Sequence, residues 1–140
     1  MTVLTVLAPL FVQVALTFAL LIWTGRARFA AAHAGEVKIQ DIALGQRAWP
    51  AAVQQVSNTF QNQLELPVLF YVLVTLALFA RKADLLFVLM AWLFVISRFG
   101  HAYAYVTSNH VLTRFRIFLV GAIILMAMWL IFAVRVLLGR

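Results

Sequence analysis

The sequence predicts an all-α membrane protein built as a four-transmembrane-helix up-down bundle. Hydrophobic residues fill 66% of the 140 positions and charged residues only 11%, whereas a soluble domain is about half apolar and a quarter charged. The apolar residues fall into four runs, each long enough to cross a ~30 Å hydrocarbon core as a helix rising ~1.5 Å per residue. The connections after the second and third runs are short, which makes consecutive helices antiparallel neighbours. Residues 1–140 therefore read as a single membrane domain.

The first helix is expected over Val3–Trp23, with Pro9 near its start and Gln13 as its only amide. A cleavable signal peptide competes for this stretch, because Ala32, His33 and Ala34 fit a small-x-small cleavage pattern. Against it stand the missing positively charged start and an apolar run longer than the ~7–15 residues of a signal core. Residues 24–50 form the only long loop, carrying Arg26, Arg28, Lys38 and Arg47 against Glu36 and Asp41. The second helix is expected over 51–80, closed by Arg81 and Lys82, the third over 83–107, and the fourth over 112–138 with Arg135 and Arg140 at its end. Counting basic residues on each side places loop 24–50 in the cytoplasm and both termini outside it.

The formal charge of +7 does not imply nucleic acid. The cations lie beside hydrophobic segments without forming a basic run, so they read as topology determinants and lipid-headgroup contacts. The chain has no cysteine, which excludes disulfides, a thiolate nucleophile and cysteine metal sites. Any sulfur chemistry needs a thiol brought by a ligand. No metal-ligand cluster, phosphate-cradling glycine loop or Ser/His/Asp arrangement stands out.

Two polar stripes interrupt the apolar spans. In the second span Gln54, Asn58, Gln61, Asn62 and Glu65 are spaced by three and four residues, which stacks them on one face of a continuous helix with Glu65 deepest. Pro67 lacks an N–H, frees the carbonyl of Gln63 and predicts a kink just beyond Glu65. In the third span Arg98, His101 and Tyr105 share a face at i, i+3 and i+7. Counted from the loop ends, Glu65 lies ~21 Å and Arg98 ~18 Å deep, so the two are expected to meet as an ion pair flooring a polar cleft. One reading is a buried pair that only fixes helix register. The other is a ligand site, which the extra donors Asn58, Asn62, His101 and Tyr105 favour. Arg114 and Arg116 fit interfacial anchors, Gln54 and Gln61 packing or loop contacts.

These residues resemble the MAPEG family, the membrane-associated proteins in eicosanoid and glutathione metabolism. The resemblance rests on Asn62, Glu65 and Pro67 in the second span, then Arg98, His101 and Tyr105, then Arg114 nine residues on, and covers roughly 47–121. It implies a homotrimer with glutathione held between neighbouring subunits at the cytoplasmic side. Asn62 and Glu65 would hold the tripeptide backbone, Arg98, His101 and Tyr105 its carboxylates and peptide groups, and Arg114 would stabilise the thiolate for attack on a hydrophobic electrophile or lipid. The sequence departs from the pattern at Asn58, where catalytic members carry Arg, at Phe60, where several carry His, at Pro67, which comes sooner after Glu65 than is usual, and at Phe115, where some carry Ser. The expected activity is a glutathione-dependent transferase or peroxidase. The rivals are a non-catalytic lipid- or quinone-binding relative and a small multidrug transporter, although transporters of that kind place their carboxylate in the first helix, which has none here.

Overall fold

The computed structural model describes residues 2–43 and 48–139; Arg47 and Arg140, counted above for topology, lie outside the described residues. Among the described residues there are six helices: α1 (Val3–His33), α2 (Ile39–Ile42), α3 (Ala51–Asn62), α4 (Leu66–Phe79), α5 (Leu85–Val106) and α6 (Val111–Leu137). Taking α3 and α4 together, four segments are long and apolar enough to cross a membrane.

Helix α1 runs ten residues past the expected end at Trp23. Hydropathy falls there, but TGRARFAAAH is rich in good helix formers, and its one glycine, Gly25, is tolerated within the helix. The helix stops only at Gly35, whose φ of +77° closes a left-handed cap in which Gly35 N–H donates to Ala32 O and Glu36 N–H to Ala31 O. The expected loop 24–50 is correspondingly shorter. Its described part packs back on α1 through a small cluster of Ala31, Val37 and Val53, joined by Ile42 and Trp49.

The second span is not one helix. It breaks at Gln63–Glu65, and α4 begins at Leu66 with Pro67 in its first turn. A proline in the first turn forfeits no hydrogen bond, because that N–H has no intrahelical acceptor. The discontinuity thus comes before Pro67 rather than as a kink beyond it. Both halves pack on α1; α3 also packs on α5 and α4 on α6, while Phe70 of α4 reaches Phe94 of α5.

Helix α5 is the most enclosed of the spans. Phe87, Val88, Ala91, Phe94 and Val95 meet Phe70, Leu73, Val74 and Ala77 from α4, with Leu125 and Met128 from α6. Phe70 and Phe94 stack at 4.8 Å between ring centroids. Close approach of α5 and α6 depends on Gly121, where an added Cβ would lie 2.7 Å from Ser97 Oγ. The outer faces of α1 and α6 leave Phe11, Phe18, Ile22, Phe115, Ile123 and Leu130 exposed, the surface expected of helices in contact with lipid or with other protein.

Candidate functional site: a polar cleft between α3, α5 and α6

The cleft is built where α5 turns into α6. Asn109 adopts a left-handed conformation at φ 49°, and His110 caps α6 by accepting from Thr113 N–H at 3.3 Å through Nδ1. One turn into α6, Arg114 returns alongside the last turn of α5, its guanidinium carbon 4.0 Å from the Tyr105 ring centroid. That distance is well inside the range of a cation–π contact. From α3, Gln55 Nε2 donates to Tyr105 O at 3.2 Å, tying the polar end of the second span to the same place.

Four of the six sequence-predicted site residues thereby line one cavity of about 290 Å³. Asn62, His101, Tyr105 and Arg114 form its polar wall, with Val111, Phe115 and Phe118 on the other side. The His101 ring stands edge-on to Tyr105 at 6.1 Å and 5.9 Å from Phe118. Its Nδ1 and the Arg114 Nε are buried without a hydrogen-bond partner. Those orphaned polar atoms suit a polar, anionic ligand.

Arg98 lies one turn further into the bundle along α5 and does not line the cavity. It is 1% exposed, sits 5.8 Å from the Phe118 ring, and none of its three guanidinium nitrogens has a hydrogen-bond partner. An unpaired buried cation costs several kcal/mol. The expected ion pair with Glu65 is not formed within the protomer: the one ion pair among the described residues joins Arg135 to Asp84 at 2.9 Å. The helix break is the reason. Glu65 leaves the face shared by Gln54, Asn58 and Asn62, takes a non-helical φ, ψ of −102°, −102° ahead of α4, and is exposed.

The remaining polar stripe is used locally. Gln54 Nε2 donates to Asn58 Oδ1 at 2.6 Å, while Gln61 is exposed. Gln63, which the stripe omits, is fully buried: its Oε1 accepts from Gln13 Nε2 at 2.8 Å and its Nε2 donates to Thr59 O at 3.1 Å. Gln13 was the signal, since a lone amide in an apolar span needs a partner on another helix. Arg28, seen only as a loop cation, donates to Ser57 Oγ and packs 5.2 Å over Trp49. Among the described residues no group of three His, Asp or Glu side chains could hold a metal ion.

Four apolar spans with an open, polar-walled cleft at one end describe an integral membrane protein. The chain belongs to the MAPEG family, whose model matches residues 6–134, nearly the whole length. Comparison with curated proteins gave no match, and comparison with solved structures gave none.

Proposed function

We propose that the protein is a glutathione-dependent transferase or peroxidase acting on hydrophobic electrophiles from the bilayer. The observation that carries this reading is the convergence of Asn62, His101, Tyr105 and Arg114 on one cavity, backed by the unpartnered guanidinium of Arg98. Glutathione is an anionic tripeptide at neutral pH, and it fits a cleft in which His101 Nδ1 and Arg114 Nε lack hydrogen-bond partners. When bound, it supplies the thiol that this cysteine-free chain lacks.

The chain's own residues do the rest. Asn62 offers an amide to the peptide backbone, His101 and Tyr105 orient it, and Arg98 supplies the buried positive charge that attracts a carboxylate. Arg114 is held over Tyr105, and a cation beside a thiol lowers its pKa and raises the thiolate fraction near neutral pH. Phe115 and Phe118 keep one side of the cleft apolar for a hydrophobic co-substrate.

The working unit of this proposal is a homotrimer with the cleft at the cytoplasmic side and both termini on the other. Two features support assembly. The cavity of about 290 Å³ lies at the lower edge of the ~300–1,000 Å³ usual for small-molecule sites, and Arg98 and Glu65 each lack an ionic partner in the protomer. Native mass spectrometry should report three chains, and glutathione binding should be lost in Glu65→Gln and Arg98→Ala. No binding to the purified protein at millimolar glutathione would sink the enzyme reading.

A second reading has its own observation. Asn58 stands where catalytic relatives carry Arg and is engaged by Gln54, and an apolar cavity of about 480 Å³ lies between α4 and α6, lined by Leu66, Leu69, Leu125, Met126 and Trp129. Those features suit a non-catalytic protein holding lipid or quinone. Copurified lipid together with indifference to thiols would favour it.

A further inference from the structure

The end of the bundle opposite the cleft carries a second built cavity, of about 320 Å³, lined by Arg81, Lys82, Ala83, Asp84 and Arg135. It lies sixteen residues before His101 along α5 when counted from Leu85, roughly 24 Å away at ~1.5 Å per residue. Its frame is rigid. Helix α4 ends in a left-handed cap at Arg81, φ 58°, in which Arg81 N–H donates to Leu78 O and Lys82 N–H to Ala77 O. Such a conformation is costly for a residue with a Cβ and usually falls to glycine. The turn is also clamped from α6, because Arg135 pairs with Asp84 at 2.9 Å and donates to Lys82 O at 3.5 Å.

Arg135 is therefore already neutralised by Asp84, which leaves Arg81 and Lys82 in the wall of the cavity as two cations without an ionic partner among the described residues. Beside it the seam between α5 and α6, at Leu86, Phe87, Met90 and Phe132, is closely packed, so the apolar surface open to a ligand lies on the outside of the turn. The exposed Phe79 and Leu85 flank the turn. A cationic pocket bordered by outward-facing apolar side chains matches an amphiphile with an anionic head and a hydrocarbon tail, and a soluble anion would leave that apolar border unused.

The geometry points to a binding site for an anionic phospholipid, its phosphate held by Arg81 and Lys82 and the start of an acyl chain lying against the exposed Phe79 and Leu85. The site is separate from the glutathione cleft and does not depend on that reading. Each cation near an anionic membrane surface is worth ~1 kcal/mol, roughly a fivefold change in affinity.

The test uses the full chain in nanodiscs of phosphatidylcholine alone or with phosphatidylglycerol, followed by native mass spectrometry of retained lipid and by thermal unfolding. Phosphatidylglycerol should be retained selectively and should raise the unfolding temperature. The Arg81→Gln/Lys82→Gln variant should lose roughly twentyfold or more of that preference, while Arg26→Gln, at the other end of the bundle, should keep it. Helical content of each variant checks that the fold persists. Equal retention of the two lipids, or a double variant that keeps its preference, overturns the proposal. So does an equal thermal shift from inorganic phosphate in phosphatidylcholine alone, which would make this a soluble-anion site.

Discussion

Replacing Arg98 by methionine separates what binds from what stabilises. Arg98 is 1% exposed with three unpartnered nitrogens, and its nearest described aromatic contact is Phe118 at 5.8 Å. Exchanging poorly compensated buried charges for apolar residues of similar volume is often neutral or stabilising by ~1–4 kcal/mol, and methionine follows the arginine stem with little change in packing. Without ligand, Arg98→Met should thus unfold at the same temperature as the parent or higher. With glutathione the order should reverse, because the ligand loses the attraction of a buried charge one helical turn from the cavity, roughly 1–2 kcal/mol at an effective dielectric of about 20, about 5- to 30-fold in affinity. Thermal unfolding in detergent with and without millimolar glutathione, paired with titration calorimetry, measures both arms. A variant clearly less stable without ligand, yet binding glutathione as the parent does, would refute the assignment of Arg98 to an anion and make it a structural cation satisfied by a neighbouring subunit.

Three further outcomes follow from local geometry. Gly121→Ala should destabilise by ~1–2 kcal/mol, because its Cβ meets Ser97 Oγ at 2.7 Å; Ser97→Ala in the same chain should restore most of the loss in a double-mutant cycle. Gln13→Leu and Gln63→Leu should each cost ~0.6–1.7 kcal/mol, and the double substitution less than the sum, since one bond of 2.8 Å joins them. The hydrogen bond from Arg135, helped by the Phe87 N–H, holds the Asp84 carboxyl below its ordinary range against the opposing effect of burial. A depressed folded-state value means that its stabilisation is present above the unfolded pKa and lost as pH falls through the folded one. Asp84→Asn, which keeps the helix cap, should therefore cost ~1 kcal/mol or less at neutral pH and nothing once the parent's carboxyl is protonated, as unfolding measured across the acid range would show.

The spans were legible because lipid solvation leaves so few alternatives: an apolar run of twenty residues has to be a helix. The convergence of Asn62, His101 and Tyr105 was legible for a related reason, since polar groups at helical spacing in such runs must seek one another or a ligand; Arg114 read as an interfacial anchor by itself and entered the site only through the family resemblance. Helix ends were less so. The end of α1 was placed where hydropathy drops, yet hydropathy reports the membrane boundary while backbone hydrogen bonding continues to the next breaker, Gly35. The error at Glu65 came from extending helical periodicity through a proline-preceded turn. Pro67 does more often begin a helix than bend one, and once the break is placed at 63–65 the carboxylate no longer shares a face with Asn62. The surroundings of Arg98 were not legible either, because the turn at 63–65, not the spacing of the polar residues, decides where Glu65 goes.

The interruption at 63–65 has a further meaning for how such a protein can change over time. Two stubs joined by a three-residue elbow answer to different demands: the aqueous stub to whatever enters the crevice, the oily one to the tight stack of Phe70 on Phe94. Substitutions that retune recognition can accumulate in the first without disturbing the second. One crossing of the bilayer thus behaves as two independently adjustable parts.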